Sequence, residues 1–300
     1  MSGRVSFLIW GLIFLLSPLD RGPQSPWFNV AFLSAGCVGV YAALRRAWHK
    51  GVYSIRAPGV LLSLAGFVGW IWLSNFWTVA HYPTEFKSIT YLAALLLTAA
   101  SLAGEDAGQT ERRLLWVLAG CAAVGLGVGF WQLVYDQHGI PLEGSRFWRA
   151  HGLFVWPNTF AGYLVLLWPV FFWVYLTRRS AWQTGLFGLL LILGNLGLAL
   201  TYSRGGWLAF GLTSVGGNAY LLYRYRLFST YRKKLTPLVL GLIAGWLVLF
   251  SLPGSHLTQR VGSLLQPDTF QRQDIWSHTI QLWLKRPWLG YGFRTFHLTN

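Results

Sequence analysis

The sequence predicts an all-α, polytopic transmembrane helical bundle of about nine spans, with an outer-face helical loop at its C-terminal end. Three observations predict it. Apolar runs long enough to cross hydrocarbon recur along the chain, charged residues make up only 11% of it against 54% hydrophobic ones, and the Lys and Arg fall in short clusters between the runs. A mean hydropathy of +0.44 over 300 residues makes lipid the main solvent. The net charge of +15 is then a matter of topology, with no nucleic acid as partner, because the cations line no single soluble face.

The runs lie at roughly 5–19, 27–44, 58–80, 88–104, 114–135, 157–176, 184–202, 207–223 and 235–252. The first follows Arg4 and leads to Pro18, Asp20 and Arg21 instead of the small residues of a cleavage site, which suits a retained signal anchor. Only Ser203 to Gly206 separates the seventh from the eighth. With the N-terminus inside, the inner loops collect Arg45, Arg46, Lys50, Arg56, Arg112, Arg113, Arg178, Arg179, Arg224, Arg226, Arg232, Lys233 and Lys234. The outer loops hold Arg21, Lys87, Arg146, Arg149 and Arg204, an asymmetry that sets the orientation.

After Leu252 the chain turns polar and aromatic. Gln271 to Leu284 places Ile275, Thr279 and Leu282 on one side of a helix that Pro287 stops. Because Arg286 to Phe296 reads as the approach to a further span and none follows, the chain reads as a fragment. The expected division is 1–113, N-terminal helices; 114–252, a transmembrane core; and 253–300, the start of a truncated outer loop.

Trp27, Trp77, Tyr82, Tyr135, Trp148, Trp156 and Tyr202 fall near outward span ends and read as belt residues. Gly241 and Gly245, and the group Gly125, Gly127 and Gly129, read as sites of close helix packing and not as a nucleotide loop. Cys37 and Cys121 sit in apolar runs without CxxC spacing and read as small packing residues.

Three outer-face stretches carry the candidate chemistry: RAHGLFVWPN at Arg149 to Asn158, TYSRGGW at Thr201 to Trp207, and Arg272 through Trp276 to RPWLGYG at Arg286 to Gly292. Each places arginine where the insertion rule disfavours it. A guanidinium near the bilayer is costly unless paired or solvated, and an anion would offset that cost. Phosphate suits a planar fork, and Gly205 and Gly206 allow the backbone to approach it. The plainer alternatives are that Arg204 snorkels to water, that Arg149 and Arg146 form a solvated loop beside Glu143, and that Arg272 pairs with Asp268 on its own helix.

His151, His256, His278 and His297 are expected on the outer side, but no spacing ties one to a carboxylate, and for His151 a hydrogen-bonding role is favoured. The spans are almost devoid of acidic residues, and Asn75, Gln132 and Asn195 are scattered, which disfavours an ion-coupled transporter. Neither a DxD nor an HExxH-like cluster offers metal ligands, so no metal and no cofactor is expected.

Taken in order, these stretches resemble the O-antigen ligase and polymerase family of bacterial envelope enzymes. The resemblance rests on Arg149, Gly152, Pro157 and Asn158; on Ser203, Arg204 and Gly205; and on Arg272, Trp276, Pro287, Gly290 and Gly292, over roughly residues 114–300. It implies a metal-independent glycosyltransferase in the bacterial inner membrane, with a cytoplasmic N-terminus and a periplasmic active face. Such an enzyme moves a glycan from an undecaprenyl diphosphate carrier to a hydroxyl on an acceptor glycan, lipid or protein. By the same resemblance Arg204 and Arg272 contact the diphosphate, Arg149 assists, and Asn158, Ser203 and Gly205 shape the site. The family's outer-loop histidine has no match before Asn300, since His297 is followed by Leu298, so the general base is unassigned. The alternative functions are transport of a small anion such as bicarbonate, and partner binding by the outer loops alone.

Overall fold

The computed structural model describes residues 58–80, 107–134, 140–141, 148–154, 156–251, 257–262 and 271–292, with scattered helical positions between 33 and 48 and between 88 and 99. The expected signal anchor at 5–19 lies outside the described residues, as do Trp27, Tyr82, Tyr135, Glu143, Arg146, Asp268, His256 and His297. The elements in chain order are α1 (Pro58–Leu73) with a 3₁₀ turn (Ser74–Phe76), α2 (Ala107–Val134), β1 (Ile140–Pro141), β2 (Trp148–Arg149), α3 (Pro157–Thr177) and α4 (Ala181–Leu200). There follow α5 (Arg204–Ala209), a π-helical segment (Phe210–Gly216), α6 (Gly217–Arg224), α7 (Phe228–Ser251), α8 (Leu257–Gly262) and α9 (Gln271–Lys285). Among the described residues the protein is thus helical apart from one two-residue antiparallel ladder, in which Ile140 pairs with Arg149 and Pro141 with Trp148.

Five helices among the described residues are long and apolar enough to cross a membrane: Pro58–Phe76, Leu115–Leu133, Pro157–Thr177, Ala181–Leu200 and Phe228–Ser251. They coincide with five of the nine expected runs. The run at 207–223 is helical too, but it is built as α5, the π segment and α6 in unbroken succession. A count of nine is therefore not established among the described residues, and the expected outer loop is described only at α8 and α9.

The chain forms two compact units, residues 1–115 with 268–300, and residues 116–267. In the second, α3 and α4 make an antiparallel hairpin. Pro157 opens α3 at its first turn, where a missing N–H breaks no bond. Pro169, deep in the same helix, leaves the carbonyl four residues earlier without its usual donor. That carbonyl belongs to Val165, and the Ser214 hydroxyl of the π segment donates to it at 3.3 Å. The Asn218 amide in turn donates to Ser214 O at 2.5 Å. The π segment thus supplies a donor to the carbonyl that the proline leaves open, as backbone groups in lipid require.

Small residues bring α7 against α4. A methyl at Gly241 would lie 2.6 Å from Ile192 Cδ1, and one at Gly245 would lie 2.9 Å from Leu196 Cδ2. Beside them the Trp246 indole donates to Asn195 Oδ1 at 2.6 Å. Gly125 and Gly129 receive the Phe160 ring, whereas Gly127 faces open space and packs on nothing. Two further expectations need correction. Tyr202 is not a belt residue: it is 3% exposed, packed in a core cluster with Ala150, Leu200, Leu249 and Leu257. Of the cysteines, Cys121 is buried but Cys37 is exposed.

Candidate functional site

The turn from α4 into α5 is where the backbone is least ordinary. Thr201 ends α4, Tyr202 takes a left-handed φ of +50°, and Ser203 is extended and caps α5. A helix end leaves four carbonyls without intrahelical partners, and here each finds one. Leu198 O accepts from the Thr201 hydroxyl at 2.7 Å and the Trp207 indole at 3.0 Å, and Ala199 O accepts from Tyr202 N at 3.0 Å. Leu200 O takes Ala150 N at 3.0 Å, and Thr201 O takes the Arg149 Nε–H at 2.8 Å.

Arg149 joins two of the stretches singled out in the sequence. Its Nε–H binds the carbonyl at the end of α4, and its Nη2–H binds Asn158 Oδ1 at 2.9 Å, at the start of α3. Two donors of one rigid plane on two separate acceptors fix the orientation of the guanidinium. Asn158 is exposed and Arg149 half-buried, so this plane lies at the rim of the bundle.

Behind Arg149 the loop is clamped by a residue that the sequence did not mark as part of a site. The Gln132 side chain, 4% exposed near the end of α2, accepts from His151 N at 3.1 Å and Gly152 N at 3.0 Å, and donates to Gly152 O at 2.9 Å. Gly152 has a φ of +58°, and a methyl there would sit 2.8 Å from Gly125 O. Glycine is required on both counts. The His151 Nδ1–H donates to Phe154 O at 2.5 Å, because a carbonyl oxygen can only accept.

Ser203 holds α5 by accepting from Gly206 N at 3.2 Å. Arg204 follows as the first helical residue, half-buried. The two glycines after it differ. A methyl at Gly206 would lie 2.7 Å from Ala161 Cβ on α3, whereas Gly205 is exposed and has open space around it. Gly206, not Gly205, is the residue that lets α5 lie against α3.

Arg272 lies in the other compact unit, as the second residue of α9, and its side chain lies outside the described residues. The far end of α9 is well defined within that unit. The Trp77 indole donates to Leu289 O at 2.6 Å, Val79 N donates to Tyr291 O at 2.9 Å, and Gly292 lies directly on Thr78. Gly290 and Gly292 have φ of +65° and +101°, so the Pro-x-x-Gly-x-Gly spacing is a backbone requirement of this turn. The Arg286 guanidinium stacks 4.9 Å over Tyr291.

Residues 187–300 match the family model for O-antigen ligase. Over that stretch the chain is similar to the O-antigen ligase family. The match begins inside α4 and takes in the Ser203–Arg204–Gly205 turn and the whole of α9. Arg149 and Asn158 precede it, yet Arg149 is bonded to Thr201 within it. No curated protein and no solved structure matches the chain. The apolar helices indicate a multi-pass membrane protein, and the match supports a glycan-transferring enzyme of cell-envelope polysaccharide synthesis. Anion transport finds no support in that match.

Proposed function

We propose that this protein transfers a glycan from an undecaprenyl diphosphate carrier to an acceptor hydroxyl at the outer face of the bacterial inner membrane, as ligase or polymerase. In the reaction the acceptor oxygen attacks the anomeric carbon and the bond to the diphosphate oxygen breaks. The electron pair leaves with the diphosphate, and the acceptor proton passes to a base that none of the described histidines is assigned to provide. Negative charge thus builds on the diphosphate, and donors fixed before the reaction stabilise it best. Arg204 and Arg149 supply such donors from one end of the α3–α4 hairpin, and the family resemblance gives Arg272 a diphosphate contact by its place in the motif alone. In this reading Asn158 sets the plane of Arg149, Ser203 starts the helix that carries Arg204, and Gly205 leaves space beside it.

The observation that supports it most is the bonding of Arg149 to both Asn158 and Thr201, which draws a cationic fork to the turn where the family-matched Ser203–Arg204–Gly205 element begins. The test is complementation of a deletion strain with Arg204→Ala and with Arg272→Ala. Both are expected to abolish glycan transfer and to let carrier-linked glycan accumulate, with the protein inserted at normal levels. Normal surface polysaccharide from both variants would end the diphosphate role. Arg204→Lys should also be damaging, because an ammonium cannot reproduce the fork.

A further inference from the structure

The opposite end of the α3–α4 hairpin carries a second group of cations. Between residues 144 and 267 the chain has eleven Lys and Arg and no Asp or Glu. Arg179, Arg224, Arg226, Arg232 and Lys233 are exposed there, and Arg178 is half-buried. Lys234 is the exception. Its three ammonium protons go to the carbonyls of Tyr175 at 3.0 Å, Leu176 at 2.8 Å and Arg178 at 2.6 Å, which brings the end of α3 against the start of α7.

The turn between α6 and α7 is a helix stop with paired bonds: Leu227 N donates to Leu222 O at 2.8 Å and Arg226 N to Tyr223 O at 3.0 Å. The residue in the left-handed position of such a stop is usually glycine. Here it is Arg226, with φ +54°. Around it Tyr223, Tyr225 and Phe228 are 75%, 65% and 48% exposed, the amphipathic surroundings of a membrane interface.

We propose that this turn binds the headgroup of an anionic phospholipid, with Arg224, Arg226, Arg232 and Lys233 contacting its phosphate and the flanking aromatic rings lying at headgroup depth. The stretch supplies cations and no counter-charge of its own, and the aromatic flanks place it where the counter-charge of a bilayer resides. Lys234 belongs to the fold and not to this surface. The inference is independent of the glycan-transfer reading.

The whole chain, purified in mild detergent, is titrated with phosphatidylglycerol and with phosphatidylcholine, and bound lipid is counted by native mass spectrometry. Retention of phosphatidylglycerol in clear preference to phosphatidylcholine is expected. Arg226→Gly should weaken phosphatidylglycerol binding about fivefold and leave the unfolding midpoint unchanged or higher, since glycine suits the backbone there. Arg232→Gln should weaken it to a similar degree. Lys234→Met should lower the midpoint and keep the lipid preference. Equal retention of the two lipids, or undiminished phosphatidylglycerol binding by Arg226→Gly and Arg232→Gln, would show a topology signal only and overturn the proposal. Competition by millimolar inorganic phosphate would point to a free-anion site and overturn it as well.

Discussion

The two ends of α3, about 30 Å apart for a helix of 21 residues, are both fastened by a cation on oxygen acceptors, yet they are built differently. At the C-terminal end Lys234 gives all three protons to neighbouring carbonyls of one helix end, and the Tyr175 hydroxyl donates back to Lys234 O at 2.7 Å, so two residues make the closure. At the N-terminal end the closure draws on four separate segments: Gln132 from α2, Arg149 from β2, Asn158 from α3 and Thr201 from the end of α4. An ammonium is a point charge that accepts any cluster of acceptors, whereas a guanidinium demands a plane. One end therefore needs only acceptors within reach of an ammonium, and the other needs a fixed guanidinium plane.

If that contrast is right, damage at the oriented end should cost both stability and transfer. Gly152→Ala is expected to have the largest effect. It combines a left-handed backbone with a methyl 2.8 Å from Gly125 O, for a loss of about 4 kcal/mol from strain and overpacking together. Thermal unfolding of the purified protein and polysaccharide synthesis in cells should fall together. Gln132→Leu comes next. It strips partners from two N–H groups and a carbonyl at about 1 kcal/mol each, so about 3 kcal/mol in all. Gln132→Glu should keep the fold where the new carboxyl is protonated and lose transfer as pH rises, because an ionised oxygen would face Gly152 O. A flat pH profile for Gln132→Glu would show that the clamp does not govern the site.

The oriented end was only partly legible in the sequence, and the reason is physical. Hydropathy reports contact with lipid, so it located α3 and α4 to within about three residues but not the true start of α2, at Ala107, nor that of α7. That helix begins at Phe228, two turns before the apolar run, because long cationic side chains extend away while the backbone stays helical. Arg149 and Asn158 were both singled out, but a bond between them is a tertiary fact that spacing does not carry. Gln132 looked like any isolated amide in an apolar helix, since its partners lie about twenty residues on. Tyr202 carries the residue type of a belt and lies at a span end, yet the left-handed turn swings it into the core. Glycine was legible through the family resemblance where φ is positive, as at Gly152, Gly290 and Gly292, and through its spacing where α7 meets α4, as at Gly241 and Gly245.

At the simpler end, Lys234→Met should cost about 2 kcal/mol by leaving three carbonyls at a helix end to other donors. Transfer should persist at temperatures where the protein stays folded. Loss of transfer in a stably folded Lys234→Met protein would mean that the two ends communicate, and the contrast drawn here would be wrong.

The smallest expected effect falls on the pair Gly205 and Gly206. Both are helical, and in a helix interior alanine is favoured over glycine by about 1 kcal/mol. At Gly206 the methyl collides with Ala161 Cβ and Ser203 Oγ, so alanine there should destabilise by about 2 kcal/mol. At Gly205 nothing lies within 4 Å of the added carbon, so Gly205→Ala should leave the protein as stable as before or slightly more so. Packing gives no reason for a glycine at that position. A ligand held against the backbone beside Arg204 does give one. Gly205→Ala should therefore separate the two accounts: an unchanged unfolding midpoint with slowed glycan transfer places the carrier headgroup at this turn. Unchanged transfer leaves Gly205 a bystander and confines the site to its arginines.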